Sequence, residues 1–196
     1  MSSPTSDLEP PLLLLAMPQV LDPYFHQSVI LLVHHDDEGS YGFILNRATG
    51  IQISEILEGM DIDWQGPSEA MAHFGGPVQP QLGSVLCSTD PETPTPVDLE
   101  ASELAPGILI TQHIGDLERL ADQIPSQFRL FLGYSGWGEG QLMEEILRND
   151  WLTAPFQTEL VFGECPEEVW EDALRSVGVE AASLPTWTPN GSGDAN

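Results

Sequence analysis

The apolar residues of this chain fall into short runs separated by glycine, proline, aspartate and asparagine. Runs at 12–16, 29–34, 42–45, 84–86, 108–111, 129–134 and 159–162 have the length and punctuation of β-strands. The stretch His35-Asp36-Asp37-Glu38-Gly39-Ser40, between the second and third runs, reads as a hairpin connection. Helical spacing occurs in four places. Ser54 is placed to cap a short helix carrying Ile56, Leu57 and Met60. Ile114, Leu117, Leu120, Ala121 and Ile124 form the inward face of a second, which Pro125 stops. Leu142, Met143, Ile146 and Leu147 make the stripe of a third. Pro166, Glu167 and Glu168 suit the first turn of a fourth; its inward face is Val169, Trp170, Ala173, Leu174 and Val177, and Gly178 is placed to end it.

Strands and helices mingle without a strict βαβα alternation, so the pattern predicts an α+β (mixed α/β) fold. The stretch 88–107 holds four prolines and five acids and reads as a long exposed loop. The predicted organisation is an N-terminal extension over 1–11, one domain over 12–183 and a flexible tail over 184–196.

Composition sharpens this picture. With 41% hydrophobic residues in 196, the chain can bury a sizeable core. Two distant cysteines, Cys87 and Cys165, exclude a disulfide scaffold and fit a reducing compartment. The charge is extreme: 31 acids against five arginines, no lysine, and a formal net charge of −26. Fourteen acids lie in the first 98 residues and 17 in the last 98, so the whole body is acidic. The arginines are nowhere closer than ten residues apart, which builds no basic stripe for phosphates. Nucleic acid is therefore disfavoured as a partner, and so is an anionic membrane. The run 12–17 is too short for a signal segment and follows Asp7 and Glu9 without a basic region. No stretch approaches the ~20 apolar residues of a membrane span. The expected location is the cytoplasm, and the lysine-free acidic surface suggests a cytosol rich in salt.

Three blocks carry candidate chemistry. The most distinctive is Gly133-Tyr134-Ser135-Gly136-Trp137-Gly138-Glu139-Gly140, followed by Gln141, which joins a predicted strand to a predicted helix. Glycine-rich loops that hold anions sit at such junctions. The spacing nonetheless misses the dinucleotide fingerprint at Gln141, and the nucleophile elbow at Trp137. The alternative is a tight turn in which the glycines admit unusual backbone angles and Trp137 is an anchor. Asn46-Arg47 offers either a clamp for a carboxylate or phosphate, or an arginine paired with one of the many acids. Gly75-Gly76-Pro77-Val78 is a turn by composition. His34, His35, Asp36, Asp37 and Glu38 lie in a row, but neighbours on a strand face opposite ways and cannot all reach one ion. Nothing in the spacing singles out a catalytic set, metal ligands or a cofactor loop, and the balance is against an enzyme. The candidate surface is Asn46, Arg47, Gly75, Gly76, Pro77, Gly136, Trp137, Gly138 and Gln141, and at least two of its three blocks are expected to lie together at one sheet end.

The order of these blocks resembles a known family. Leu15-Ala16-Met17-Pro18, Asp22-Pro23-Tyr24-Phe25-His26-Gln27-Ser28-Val29, Tyr41-Gly42 running into Leu45-Asn46-Arg47, Gly75-Gly76-Pro77-Val78, Leu132 to Gly138 with Gly140-Gln141-Leu142, then Trp151-Leu152 and Trp170 are similar to the YqgE/AlgH family. One departure is Ala48, where the family usually has proline. The resemblance implies a single domain with a branched, mostly antiparallel sheet folded toward a pseudo-barrel with flanking helices. It also implies a bacterial cytosolic protein. The family has no established catalytic residues to carry over. It is commonly labelled as transcriptional regulators, a label the charge of this chain does not favour. The expected function is a non-catalytic binding or regulatory module acting through a protein partner. The alternatives are a regulator that binds DNA, and a small-molecule or nucleotide site at the 133–141 loop.

A surface this acidic repels itself at low ionic strength, and ~1 M salt shortens the Debye length to about 3 Å. The melting temperature is therefore expected to climb as KCl is raised from about 0.1 M to about 1 M. A salt-independent melting curve would remove the high-salt reading.

Overall fold

The longest apolar runs form the centre of one sheet. In the computed structural model, which describes residues 8–89, 98–163 and 165–185, ten strands join. They are β1 (Leu12–Ala16), β2 (Val29–Asp36), β3 (Gly39–Ile44), β4 (Ala48–Gln52), β5 (Met71–Phe74), β6 (Val78–Ser88), β7 (Ser102–Ala105), β8 (Ile108–Thr111), β9 (Phe128–Gly138) and β10 (Trp151–Pro155). Five helices accompany them: α1 (Ile53–Glu58), α2 (Ile114–Asp122), α3 (Gln141–Leu147), α4 (Thr158–Val161) and α5 (Val169–Ser176). The strand order is β10-β1-β2-β3-β9-β6-β8-β7, and β5 branches off β9 carrying β4 with it. All pairs are antiparallel except β5 with β9. This is a single-domain α+β fold whose sheet curls into a half-barrel.

Both faces of the sheet are covered, which explains why β1 and β2 read as unbroken apolar runs. Leu13, Leu15, Val29 and Leu31 face α4 and α5 in one core cluster. Leu14, Ala16, Ile30 and Leu32 face the other way, toward Trp137, Leu142 and Trp151. A third cluster sets α1 and α2 on β5, β6 and β9 through Leu57, Ala72, Val85, Leu120 and Leu130. Among the described residues no helix is long and apolar enough to cross a membrane.

The branch at β9 depends on glycine. Gly75 N–H donates to Leu132 O (2.8 Å), and Gly75 O accepts from Ile44 N–H (2.9 Å) and from the buried Ser135 hydroxyl (3.1 Å). A Cβ on Gly133, whose φ is +69°, would lie 2.4 Å from Gly76 O and 2.9 Å from Val78 O. A Cβ on Gly76 would lie 2.2 Å from Tyr134 C. Backbone packs on backbone here, and no side chain fits between.

Five local expectations need correcting. The run 159–162 lies in and just beyond α4, with no strand there; four residues are too few to show a helical period. Helix α1 begins at Ile53 after Gln52, and Ser54 lies inside it; the Glu55 carboxylate accepts from Gln52 N–H (3.3 Å) and fixes that start. Helix α5 begins at Val169, because Glu168 N–H closes a turn onto Cys165 O (3.0 Å) and leaves Pro166 outside the helix. Its end matches the expectation: Gly178 has φ +80°, and Val179 N–H reaches Leu174 O (3.0 Å). Within the expected loop 88–107, residues 90–97 lie outside the described ones and β7 pairs with β8. Ile114, expected to face inward, is 57% exposed at the first position of α2. The tail over 184–196 is described only at Leu184 and Pro185.

Gly133→Ala is expected to cost about 3 kcal/mol or more, the sum of left-handed strain and overpacking. Gly140 also has positive φ, at +70°, but open space around its Cβ, so Gly140→Ala should cost about 1–2 kcal/mol. Urea unfolding of the two variants checks this; equal losses would mean that the crossing itself carries no penalty.

Candidate functional site

The Asn46-Arg47 and Gly75-Gly76 blocks meet at the start of the third block, Gly133 to Ser135, mid-sheet and not at the expected sheet end. Asn46 is buried and staples the corner after β3: its side chain accepts from Val29 N–H (2.9 Å) and donates to Gln27 O (2.9 Å). Arg47 donates to the carbonyls of Asn46 and His26, and its own carbonyl accepts from Phe74 N–H (2.8 Å). No carboxylate among the described residues lies within ion-pair distance of Arg47, so its guanidinium rests on carbonyl oxygens and not on an acid. Gly75 and Gly76 lie against Gly133, Tyr134 and Ser135 at the branch, next to this corner, while Pro77 is exposed. These residues gather mid-sheet because strands cross there, and their packing leaves no cavity between the glycines.

Gly136, Trp137, Gly138 and Gln141 lie further along. Residues 133–138 belong to β9, with Gly138 paired to Gly39 and Trp137 to Ser40. The segment is therefore mostly strand, and the turn into α3 is confined to Glu139 and Gly140. Helix α3 follows after Gly140 and has only seven residues.

A groove of about 290 Å³ opens beside Trp137. Its aromatic wall is built by Trp137, Trp151 and Phe25. The two indoles meet edge to face with centroids 5.8 Å apart, and Phe25 meets Trp151 likewise at 6.0 Å. Glu145 of α3 holds this wall: Trp137 Nε1–H and Trp151 Nε1–H each donate to its Oε2 (2.8 Å), and the Gln141 amide donates to its Oε1 (2.9 Å). Gln141 in turn accepts from Gly138 N–H (3.0 Å). One carboxylate thus ties the end of β9, the first turn of α3 and the start of β10 together. The rim carries Leu21, Asp22, Arg148 and Asp150, and Arg148 is held by Asp150 Oδ2 (2.9 and 3.1 Å).

Sequence reasoning singled out Trp137 and Gln141 but missed Glu145, Phe25 and the rim. The available signal was the i, i+4 spacing of Gln141 and Glu145 on a helix, followed closely by Trp151. The hairpin row behaves as alternation requires. His34 pairs with Asp36 (2.8 Å) and His35 meets the Ser40 hydroxyl (2.6 Å). Asp36 is held below the usual carboxylate range, first by His34 and then by the amides of Glu38 and Gly39. Cys87 is buried, and burial with Asp116 nearby pushes its thiol up to about 11, which suits a packed thiol better than a nucleophile. Arg129 is buried and donates to the carbonyls of Leu45 (3.0 Å) and Gly163; burial lowers it to about 10. Neighbouring His73 is lowered to about 4, by burial and then by Arg129, and its Nδ1 has no hydrogen-bond partner among the described residues.

A branched, curled sheet with glycines at its fork and a Trp-walled groove at one end of β9 defines the class of this protein, an AlgH-like α+β domain. The AlgH-like family (DUF179) matches residues 13–182, and this chain belongs to it. A UPF0301 protein of Ruegeria pomeroyi is 39% identical across 88% of this chain and 93% of its own length. One from Myxococcus xanthus is 35% identical across 89% and 93%. The solution structure of the AlgH protein from Pseudomonas aeruginosa is similar at a TM-score of 0.72 and 31% identity, covering 93% of this chain and 95% of that one. A crystal structure from Corynebacterium diphtheriae shares the fold at a TM-score of 0.71 and 24% identity, covering 88% and 89%.

Glu145→Ala would leave two nearly buried indole N–H groups without an acceptor. The expected cost is about 2–4 kcal/mol in urea unfolding, with changed near-UV circular dichroism of the tryptophans. Glu145→Gln keeps one acceptor oxygen and should cost less; equal stability in all three proteins would show that the carboxylate does not hold the wall.

Proposed function

We propose that this protein is a non-catalytic binding module acting through a protein partner, and that the groove beside Trp137 grips that partner. The observation that carries this reading is the pre-set aromatic wall: three hydrogen bonds to Glu145 fix it before anything binds. Its rim mixes apolar, acidic and basic groups within one concavity, the composition of a protein-binding surface. The arginines support a protein partner over a phosphate backbone. Arg119, Arg148 and Arg175 are paired with aspartates, while Arg47 and Arg129 are spent on carbonyl oxygens, at separate places in the fold.

Leu21 is 40% exposed on the rim, so Leu21→Ser should spare the fold while roughening the groove. Tagged full-length chain recovered from native lysate is expected to bring down a stoichiometric protein, and the Leu21→Ser variant to lose at least tenfold of it. Recovery of the wild type as a lone monomer, or as a complex with nucleic acid, would overturn the reading.

A further inference from the structure

A second concavity, sharing no residue with the Trp137 groove, lies between α1 and α2. Its floor is Leu82, Gly83 and Val85 of β6 with Leu130 and Leu132 of β9, and its walls include Ile56 and Met60 on one side and Ile114 and Leu117 on the other. Its volume is about 140 Å³, the room of one large apolar side chain. Met60 and Ile114 stand exposed at its mouth, at 39% and 57%. Ile114 is apolar and more than half exposed although it sits at the first position of α2, where an acid or a small polar residue is favoured. A small, deep, apolar pocket with a polar rim of Gln81, Gln112 and His113 is the form of an anchor-residue site.

The surrounding charge decides the occupant. Glu55, Glu58 and Asp61 are exposed on and just after α1, and Glu118 and Asp122 on α2. The nearby cation Arg119 is taken up by Asp98 O (2.8 Å) and Asp116 (3.4 Å), and His113 faces Glu100 (3.5 Å). A second copy of this chain would bring a body of net charge −26 against the same charge. A basic segment meets complementary potential on both sides of the pocket. We propose that the pocket between α1 and α2 takes a bulky apolar anchor from a cationic amphipathic helix of a partner protein. This rests on the binding-module reading only in requiring a protein partner, and it names a different surface.

The test uses the full chain and a short fluorescein-labelled amphipathic peptide of lysine and leucine, followed by fluorescence anisotropy and by the methyl resonances of Met60 and Ile114. Two variants leave the charge unchanged. Ile114→Ser removes a wall. Gly83→Val fills the pocket; a Cβ there meets only the Leu130 Cδ1 at 3.6 Å, an ordinary contact, and urea unfolding verifies that the variant keeps its fold. Both are expected to weaken binding at least tenfold, as is replacing the peptide's leucines by glutamine, while Leu21→Ser in the other groove leaves binding intact. Equal binding to wild type, Ile114→Ser and Gly83→Val would show attraction by charge alone and overturn the proposal, as would no binding to wild type. Loss on Leu21→Ser alone would move docking to the Trp137 groove, overturning this inference while sparing the binding-module reading.

Discussion

The sheet can fork only because two backbone segments touch. Gly75 and Gly76 lie against Gly133 and Tyr134 with no space for a Cβ, so β5 can run parallel to β9 on the edge that β3 occupies further along. On one side of the fork, β3 leads into β2, β1 and β10; on the other edge of β9, β6 leads into β8 and β7. Strand β9 is thus common to all three core clusters, through Phe131, Leu130 and Trp137. Close packing transmits a misplacement at such a hub widely. Both concavities take residues from β9, so both inherit their shape from this crossing.

Charge is used within this frame in an unusual way. A chain with 31 acids supplies a carboxylate near almost any surface arginine, yet Arg129 is buried on two carbonyl oxygens. There it joins β9 to the corner after β3 and to the segment following α4. A buried guanidinium is costly unless its donors are satisfied. Here it links three segments by hydrogen bonds, and His73 beside it is lowered first by its own burial and then by Arg129. Arg129 is an internal tie, while Arg119, Arg148 and Arg175 stand half-exposed beside aspartates.

How much of this was legible depended on how strongly the local pattern constrained each element. The doubly covered strands β1 and β2 declared themselves because both faces are apolar. Strands β4, β5, β7 and β10 did not: they are four or five residues long and mixed in polarity, and they exist because a neighbour's edge needs pairing. Helix α4 was mistaken for a strand because four residues cannot reveal a period. The glycine blocks were visible, but whether they held a ligand or a crossing depended on residues some 60 positions apart. At the groove, Trp137 and Gln141 stood out by rarity, whereas Glu145 was hidden among 31 acids until the fold brought two indoles to it.

The two concavities answer the same electrostatic problem. A body of this charge attracts basic partners from a distance at low salt, without discrimination, because the attraction reads only net charge. At ~1 M salt that attraction is confined to about 3 Å, and selectivity must come from contact. In the proposed binding modes both sites work by contact, one through an aromatic wall fixed by Glu145 and the other through an apolar hole sized for one side chain. Apolar burial is not screened by salt, and excluded salts strengthen it. An acidic protein of this fold can therefore recognise a partner in conditions where its own charge has ceased to steer, provided the recognition lies in these concavities rather than in the acids around them.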